Sequence, residues 1–432
     1  MAGASAMQEL APAGASYGGD TAAAQALSLA AAQARVERRR RRQSLLLALP
    51  LLSFLVAVFI VPIAALLLRA VENPEVARAL PRTAQALSGW DRRSEPAPAA
   101  FAAVAADLAA MSDSADAGAL ARRLNSEVPG GRSLVMKTYR ASRDVGAGAP
   151  PPEAVREKML ALDARWAELP YWQAIARNAS RWTPDYLLAA VDLRRDGAGT
   201  VEPMPEEQRV FGRILLRTFQ ISAVVTLVCL ALGYPLAYWL STLPARSANV
   251  LMILVLVPFW TSILVRVAAW IVLLQREGLV NKALLGLGVI AEPLTLLFNR
   301  AGVVIAMTHI LLPFMILPLY SVMKSVPPSY MRAAVSLGST PLAAFVRVYV
   351  PQTFAGVGAG ALLVFILSIG YYVTPALLGG ADDQMLSYYI AQYTNVDVNW
   401  GMAAALGALL LFSTLALYGV YRRFARAELS LG

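Results

Sequence analysis

Few side chains in this sequence are suited to covalent chemistry. His309 is the only histidine and Cys229 the only cysteine. A Ser–His–Asp arrangement has one imidazole to draw on, multi-histidine metal sites are excluded, and no disulfide or cysteine zinc site can form within one chain. No G-x-x-x-x-G-K-[ST] occurs, so this phosphate-cradling loop is absent. We therefore expect no catalytic residue, no metal and no cofactor in this chain. What remains suits binding and passage. Arg266 lies within PFWTSILVRVAAW, Tyr371 and Tyr372 follow Gly370 in SIGYYVTPALLGG, and Asp382, Asp383, Glu292 and Asp397 stand near the ends of apolar runs. Ring faces attract organic cations by contacts worth ~0.5–2 kcal/mol. Paired carboxylates raise the local cation concentration. Each residue also has a plainer reading. Arg266 can bond carbonyls of a neighbouring helix, His309 can be a satisfied core histidine, the tyrosines can anchor a membrane interface, and the aspartates can be a solvated loop pair.

The elements that would position these residues are apolar. The chain has 432 residues, 57% hydrophobic and 15% charged, the balance of a membrane protein. Leu45–Leu68 reaches about 36 Å as a helix, enough for a hydrocarbon core of about 30 Å. Ile214–Leu240, Val250–Leu274, Ala301–Val322, Phe354–Leu378 and Trp400–Tyr421 bring the expected total to about six spans. Gly233 and Pro235 predict a kink in the second. Leu279–Phe298, interrupted by Lys282, Glu292 and Pro293, reads as interfacial or re-entrant. The fold class is thus all-α and polytopic. Residues 1–43 read as a disordered cytoplasmic leader ending in the run Arg38–Arg42, 44–70 as the first span, 71–210 as a helical insert, and 211–426 as the main membrane domain. Within the insert, helices are expected at Ala99–Met111, Ala115–Leu124, Pro152–Glu168, Tyr171–Arg177 and Pro184–Leu193. Trp166, Tyr171, Trp172, Trp182 and Tyr186 would form its core.

The net charge of +10 raises the possibility of nucleic acid. The basic residues instead flank apolar runs, where membrane lipid and topology account for them, so no nucleic-acid partner is expected. Arg38–Arg42, Arg246, Lys324, Arg332, Arg347, Arg422, Arg423 and Arg426 fall on one side of the membrane in this scheme. The positive-inside rule makes that side cytoplasmic, with both termini there and the insert outside.

On the cytoplasmic side lies Ser329–Pro351, SYMRAAVSLGSTPLAAFVRVYVP. It reads as helix, turn, helix. Ser329 is expected to cap the first helix, Gly338 to adopt the left-handed cap, Ser339 or Thr340 to cap the second helix with Pro341 at its first position, and Pro351 to close it.

This stretch resembles the signature of ABC importer permease subunits: Glu-Ala-Ala, a Gly three residues on, then Ile-x-Leu-Pro. Ala333, Ala334, Gly338, Val348, Val350 and Pro351 fall at the matching positions, with Arg332 in place of Glu. From about Arg213 to Arg426, the segments PFWTSILVR, THILLPFMILPLY and GYYVTPALLGG are similar in order and spacing to spermidine/putrescine-type permeases. The resemblance implies a type I importer permease in a bacterial inner (plasma) membrane. It implies separate ABC ATPase subunits that hold ATP and Mg and dock on 329–351, a second permease subunit, and an extracytoplasmic substrate-binding protein. The cargo would be a small organic solute, a polyamine such as spermidine or putrescine, passing Tyr371, Tyr372, Arg266, Asp382 and Asp383. Two other classes remain open. An ion-coupled secondary transporter would need acids within the spans and a repeated half, and neither is evident. A membrane-anchored receptor or scaffold would act through residues 71–210.

Overall fold

The computed structural model describes residues 43, 46–145, 150–196 and 199–429, without the side chains of 420 and 424–429. The expected leader, the run Arg38–Arg42 and the Arg426 side chain lie outside the described residues. The chain divides into two units, Met1–Ala65 and Leu66–Gly432. Most of helix α1, Leu46–Leu68, belongs to the first. It is apolar along its length and widens into one π turn at Val56–Ile60. A helix satisfies every interior backbone polar group within itself, which suits lipid as a solvent.

The insert opens the second unit. Its helices are α2 (Pro74–Ala79), α3 (Pro81–Ala86), α4 (Pro98–Ala110), α5 (Ser114–Asn125), α6 (Gly131–Val145), α7 (Pro152–Leu162), α8 (Leu169–Asn178) and α9 (Asp185–Ala190). Prolines that read as breaks in the sequence serve as helix starts. Pro74, Pro81, Pro98 and Pro152 each sit in a first turn, where a missing N–H costs nothing. Phe101, Trp166 and Trp172 are fully buried, with ring centroids 4.6 and 5.2 Å apart for the two pairs involving Trp172. The Trp166 indole N–H donates to Thr138 Oγ1 at 2.9 Å, and that of Trp172 to the Trp166 carbonyl at 2.8 Å. Burying such rings requires a partner for the indole N–H, and both have one.

Two of the five aromatics expected in this core lie elsewhere. Trp182 is 54% exposed. Tyr186, on α9, joins a second cluster with Phe211, Ile214, Met402 and Leu406. The segment expected as a helix over Pro184–Leu193 holds α9 and then turns into an antiparallel hairpin, β1 (Leu193–Arg195) and β2 (Val201–Pro203), with Arg194 opposite Glu202. Between helix and hairpin, Asp192 has φ of 60°. Its carboxylate accepts from the N–H groups of Val210, Phe211 and Gly212 at 3.0, 3.0 and 2.8 Å. It thereby caps the next helix from far along the chain, meeting donors that a helix start leaves unpaired.

That helix is α10 (Phe211–Thr242), 32 residues and unbroken through Gly233 and Pro235. After it come α11 (Ala245–Leu256), α12 (Ile263–Leu274), α13 (Leu279–Gly286) and α14 (Arg300–Ser325). Next are α15 (Pro328–Ser336), α16 (Pro341–Gln352), α17 (Phe354–Ile369), α18 (Val373–Leu378), α19 (Leu386–Asn395) and α20 (Trp400–Leu429). α10, α14 and α17 pack against one another as the centre of the bundle. Glycine sets how closely α17 approaches. A Cβ at Gly360 would stand 2.8 Å from Met315 Sδ, and one at Gly356 3.0 Å from Val322 Cβ. These two positions form the small-x-x-x-small spacing of membrane helix pairs.

Two expected spans differ in shape. Val250–Leu274 is bent by 95° at the break before Ile263, and Phe354–Leu378 ends as a helix at Ile369, with Gly370–Tyr372 irregular before α18. Among the described residues four helices are long and apolar enough to cross a membrane singly, and up to six spans result if the bent pairs Ala245–Trp260 with Ile263–Gly286 and Pro341–Gln352 with Phe354–Ile369 each count as one. Leu279–Phe298 is helical only to Gly286. Its tail is folded back by Asn281, whose amide donates to the carbonyls of Gln275 and Leu294.

Candidate functional site

Three elements bring a polar cluster together inside the bundle. Arg266 and Trp270 are one turn apart on α12 and both half-buried. The Trp270 indole N–H donates to His309 Nδ1 on α14 at 3.3 Å, and the rings lie edge-to-face with centroids 5.4 Å apart. The Arg266 guanidinium is within electrostatic reach of both His309 and Tyr371, and its Nε is buried without a partner. Tyr371 sits in the irregular stretch between α17 and α18, where its carbonyl accepts from Ser387 Oγ at 2.7 Å. Non-helical backbone at membrane depth is tolerated where it is enclosed by protein or lines a cavity. Elsewhere in the bundle, the hydroxyls of Ser222, Thr308, Ser368 and Thr374 are buried without hydrogen-bond partners among the described residues. The cluster of Arg266, Trp270, His309 and Tyr371 offers a fixed positive charge and aromatic faces. Tyr372 is exposed.

The acids divide. Asp383 is buried, and Arg300 Nε donates to it at 3.0 Å while Gly380 N–H donates to its other oxygen at 3.2 Å. Its charge is thus neutralised, and it ties the loop after α18 to the start of α14 rather than standing open at a mouth. Asp382 and Glu292 are exposed. The role of Arg300 was not legible in the sequence, because nothing local marks it as the partner of a residue 83 positions away.

At the opposite end of the bundle, Lys324 Nζ donates to the carbonyls of Ser241 and Leu243. Just beyond it project α15 and α16. Pro327 and Pro328 begin α15, so Ser329 lies inside the first turn instead of capping it. Gly338 has φ of +93°, as its place after the helix requires. Thr340 Oγ1 accepts from the Ala343 N–H and Pro341 follows at the first position. The second helix widens into a π turn at Phe345–Tyr349 and continues through Pro351 to Gln352, bending 60° from α17 at Thr353. Pro351 is tolerated there because the residues before it already depart from α geometry. No residue of α15 is buried, and Leu337 and Leu342 are 88% and 73% exposed. Arg332, Ala333 and Gly338 are exposed, Ala334 is half-buried, and Val348, Val350 and Pro351 lie on the second helix.

A bundle of broken apolar helices with an exposed helical pair between two of them is the architecture of a membrane permease. Residues 230–428 match the family described as binding-protein-dependent transport system inner membrane component. The chain is 35% identical over 218 residues to the spermidine/putrescine transport system permease protein PotB of Escherichia coli strain K12, covering 50% of this chain and 79% of the relative. It is 32% identical over 242 residues to PotB of Haemophilus influenzae, covering 54% and 85%. The inner membrane ABC transporter permease protein YdcU of Escherichia coli strain K12 is 31% identical over 219 residues, covering 48% and 69%. Among solved structures, a bacterial alginate ABC transporter bound to its periplasmic protein matches with a TM-score of 0.42 and 16% identity, over 50% of this chain and 78% of that one. The chain belongs to the ABC importer permease family and is a multi-pass inner-membrane protein similar to the spermidine/putrescine permeases. The insert lies outside the matched residues.

Proposed function

We propose that this chain forms one half of the passage in an ATP-driven importer whose cargo is a small organic cation of the polyamine class. The observation that carries the reading is the bent pair Pro328–Gln352, which anchors on the bundle through Phe345 and Tyr349 while Val335, Leu337, Leu342 and Val346 are exposed. Separate ATPase subunits holding ATP and Mg would grip it. Their closure draws two such knobs together and turns the path outward, and hydrolysis resets it: a two-state element biased by nucleotide. Both termini and the knob are cytoplasmic in this reading, and a substrate-binding protein delivers cargo on the other side. The names of the similar permeases and the Tyr371 ring support a polyamine. α10, α12, α14 and α17 contain no Asp or Glu, so the acids for a polycation come from a second permease subunit. They also offset Arg266.

The test is ATP-dependent uptake of labelled spermidine by the reconstituted importer. Deleting Met331–Thr340, or replacing Gly338 by Pro, should abolish uptake and co-purification of the ATPase while membrane insertion persists. Proline fixes φ near −65° and cannot adopt the +93° found here. Normal uptake in either variant would overturn the reading.

A further inference from the structure

α10 has two faces along its whole length. Thr218, Val225 and Cys229 turn into the bundle and are buried. On the opposite face Leu216, Val224, Leu227, Ala231 and Trp239 recur at helical spacing, and all are exposed. At the insert end that face carries Arg213 and Gln220, also exposed, with half-buried Arg217 beside them. From Arg213 to Trp239 the helix runs about 39 Å, close to the ~40–45 Å of a bilayer with its interfacial layers. Trp239 thus stands at one interface and the arginines at the other. Neither arginine is in an ion pair among the described residues, and α10 has no Asp or Glu to offset them. Arg213 Nε and Nη2 donate to the Arg209 carbonyl at 3.2 and 2.9 Å, which turns the guanidinium back toward the helix start, as a long basic side chain does when it rises from hydrocarbon. Arg217 Nε is buried with no hydrogen-bond partner. Of the acids just upstream, Asp192 accepts from three backbone N–H groups and Glu202 pairs with Arg194. Glu206 and Glu207 are exposed on the turn before α10 and in no ion pair among the described residues.

We propose that this face holds an anionic phospholipid of the insert-side leaflet, its phosphate between Arg213 and Arg217 and its acyl chains along Leu216, Val224 and Leu227. Residues one turn apart have Cβ atoms about 5–6 Å apart, so two guanidiniums can share one phosphate. Charge at the head of the face and hydrocarbon below it match an amphiphile. A free phosphate would use the arginines and leave the apolar stripe uncovered. A packed helix would meet small residues, as Gly356 and Gly360 do on α17, whereas this stripe presents Leu and Val. In the orientation proposed above, the basic residues that set topology gather on the knob side. Arginines at the insert end therefore need another partner, and lipid phosphate supplies one. Bound there, the lipid steadies the same end of α10 that Asp192 caps.

The experiment uses the full chain in a neutral detergent, titrated with phosphatidylglycerol or phosphatidylcholine, and native mass spectrometry counts the lipids held. Basic residues at the other interface hold lipid too, so the readout is the difference between variant and wild type. Arg213→Gln/Arg217→Gln should lower the number of tightly held phosphatidylglycerol molecules by one, weakening that site at least about tenfold, with phosphatidylcholine binding unchanged. Arg213→Lys/Arg217→Lys should keep the site. Arg143→Gln, exposed on α6 in the insert, should match the wild type. An equal phosphatidylglycerol count in the wild type and the Gln double variant overturns the site. Displacement of the lipid by inorganic phosphate overturns it in favour of a free anion. Loss of a co-purifying membrane subunit from the Gln variant, with its lipid count kept, overturns it in favour of a subunit contact. If the Gln double variant fails to insert, Arg213→Gln alone carries the test: about threefold weaker binding supports the site, and none overturns it.

Discussion

The insert and the helix bundle treat buried polar atoms differently. In the insert almost all of them are paired: Asp107 accepts from Thr83, Thr138 from Trp166, and Asn178 sits between Arg123 and Glu127. Glu75 Oε2 is the exception among the described residues there. In the bundle, Arg217 Nε, Arg266 Nε and the hydroxyls of Ser222, Thr308, Ser368 and Thr374 are buried without partners. Leaving such a group unpaired costs ~1–3 kcal/mol. The insert is a finished fold that meets water on its outer surface. The bundle keeps unpaired polar groups in its interior.

That contrast can be broken most forcefully from the insert side. Trp172→Ala should cost about 3–5 kcal/mol, emptying a site with a ring on either side. Thermal unfolding followed by tryptophan fluorescence should show an early transition in the insert, with the bundle's own transition kept. One merged transition would mean that the two regions do not fold separately. Gly360→Leu acts on the bundle. Overpacking against Met315 should cost ~1–3 kcal/mol, and only the later transition should shift. At the junction, Asp192→Ala removes a cap and should cost ~0.5–2 kcal/mol, with hydrogen exchange rising at Val210, Phe211 and Gly212. Protection unchanged at those amides would show that another group caps α10.

A pH series gives a smaller effect. The Arg165 guanidinium holds the Asp163 carboxyl well below its ordinary value of 3.8. A depressed carboxylate stabilises the fold above its unfolded value and loses that contribution as pH falls towards the folded one. The insert should therefore lose stability below about pH 4, and Asp163→Asn should flatten that slope. Arg156→Ala, which removes a half-exposed pair with Glu95, should leave thermal stability nearly unchanged, because solvent screens such a pair.

Most of the helix positions were legible because apolar runs and prolines are local signals. The knob was legible for the same reason: Gly338, Thr340 and Pro341 stand at adjacent positions and act on their own neighbours. α6 was missed because its buried face holds Thr138 and Ser142 where a periodic pattern needs apolar residues. The breaks at Thr261–Ser262 and Gly370–Tyr372 were missed because both interrupt runs that are apolar on either side. Of the expected path residues, Arg266 and Tyr371 come together with His309, which could be singled out but not placed. Asp383 went astray because its partner, Arg300, is distant in sequence.

The reach of Asp192 has a bearing on how such a chain could be cut and rejoined. The covalent seam between the extra module and the transport machinery appears to the eye near residue 210, but the carboxylate that starts α10 is 18 positions upstream of Val210. A chimaera that transplants the module onto a sister permease must carry the hairpin along with Asp192, or it will leave the recipient's leading helix with a bare end.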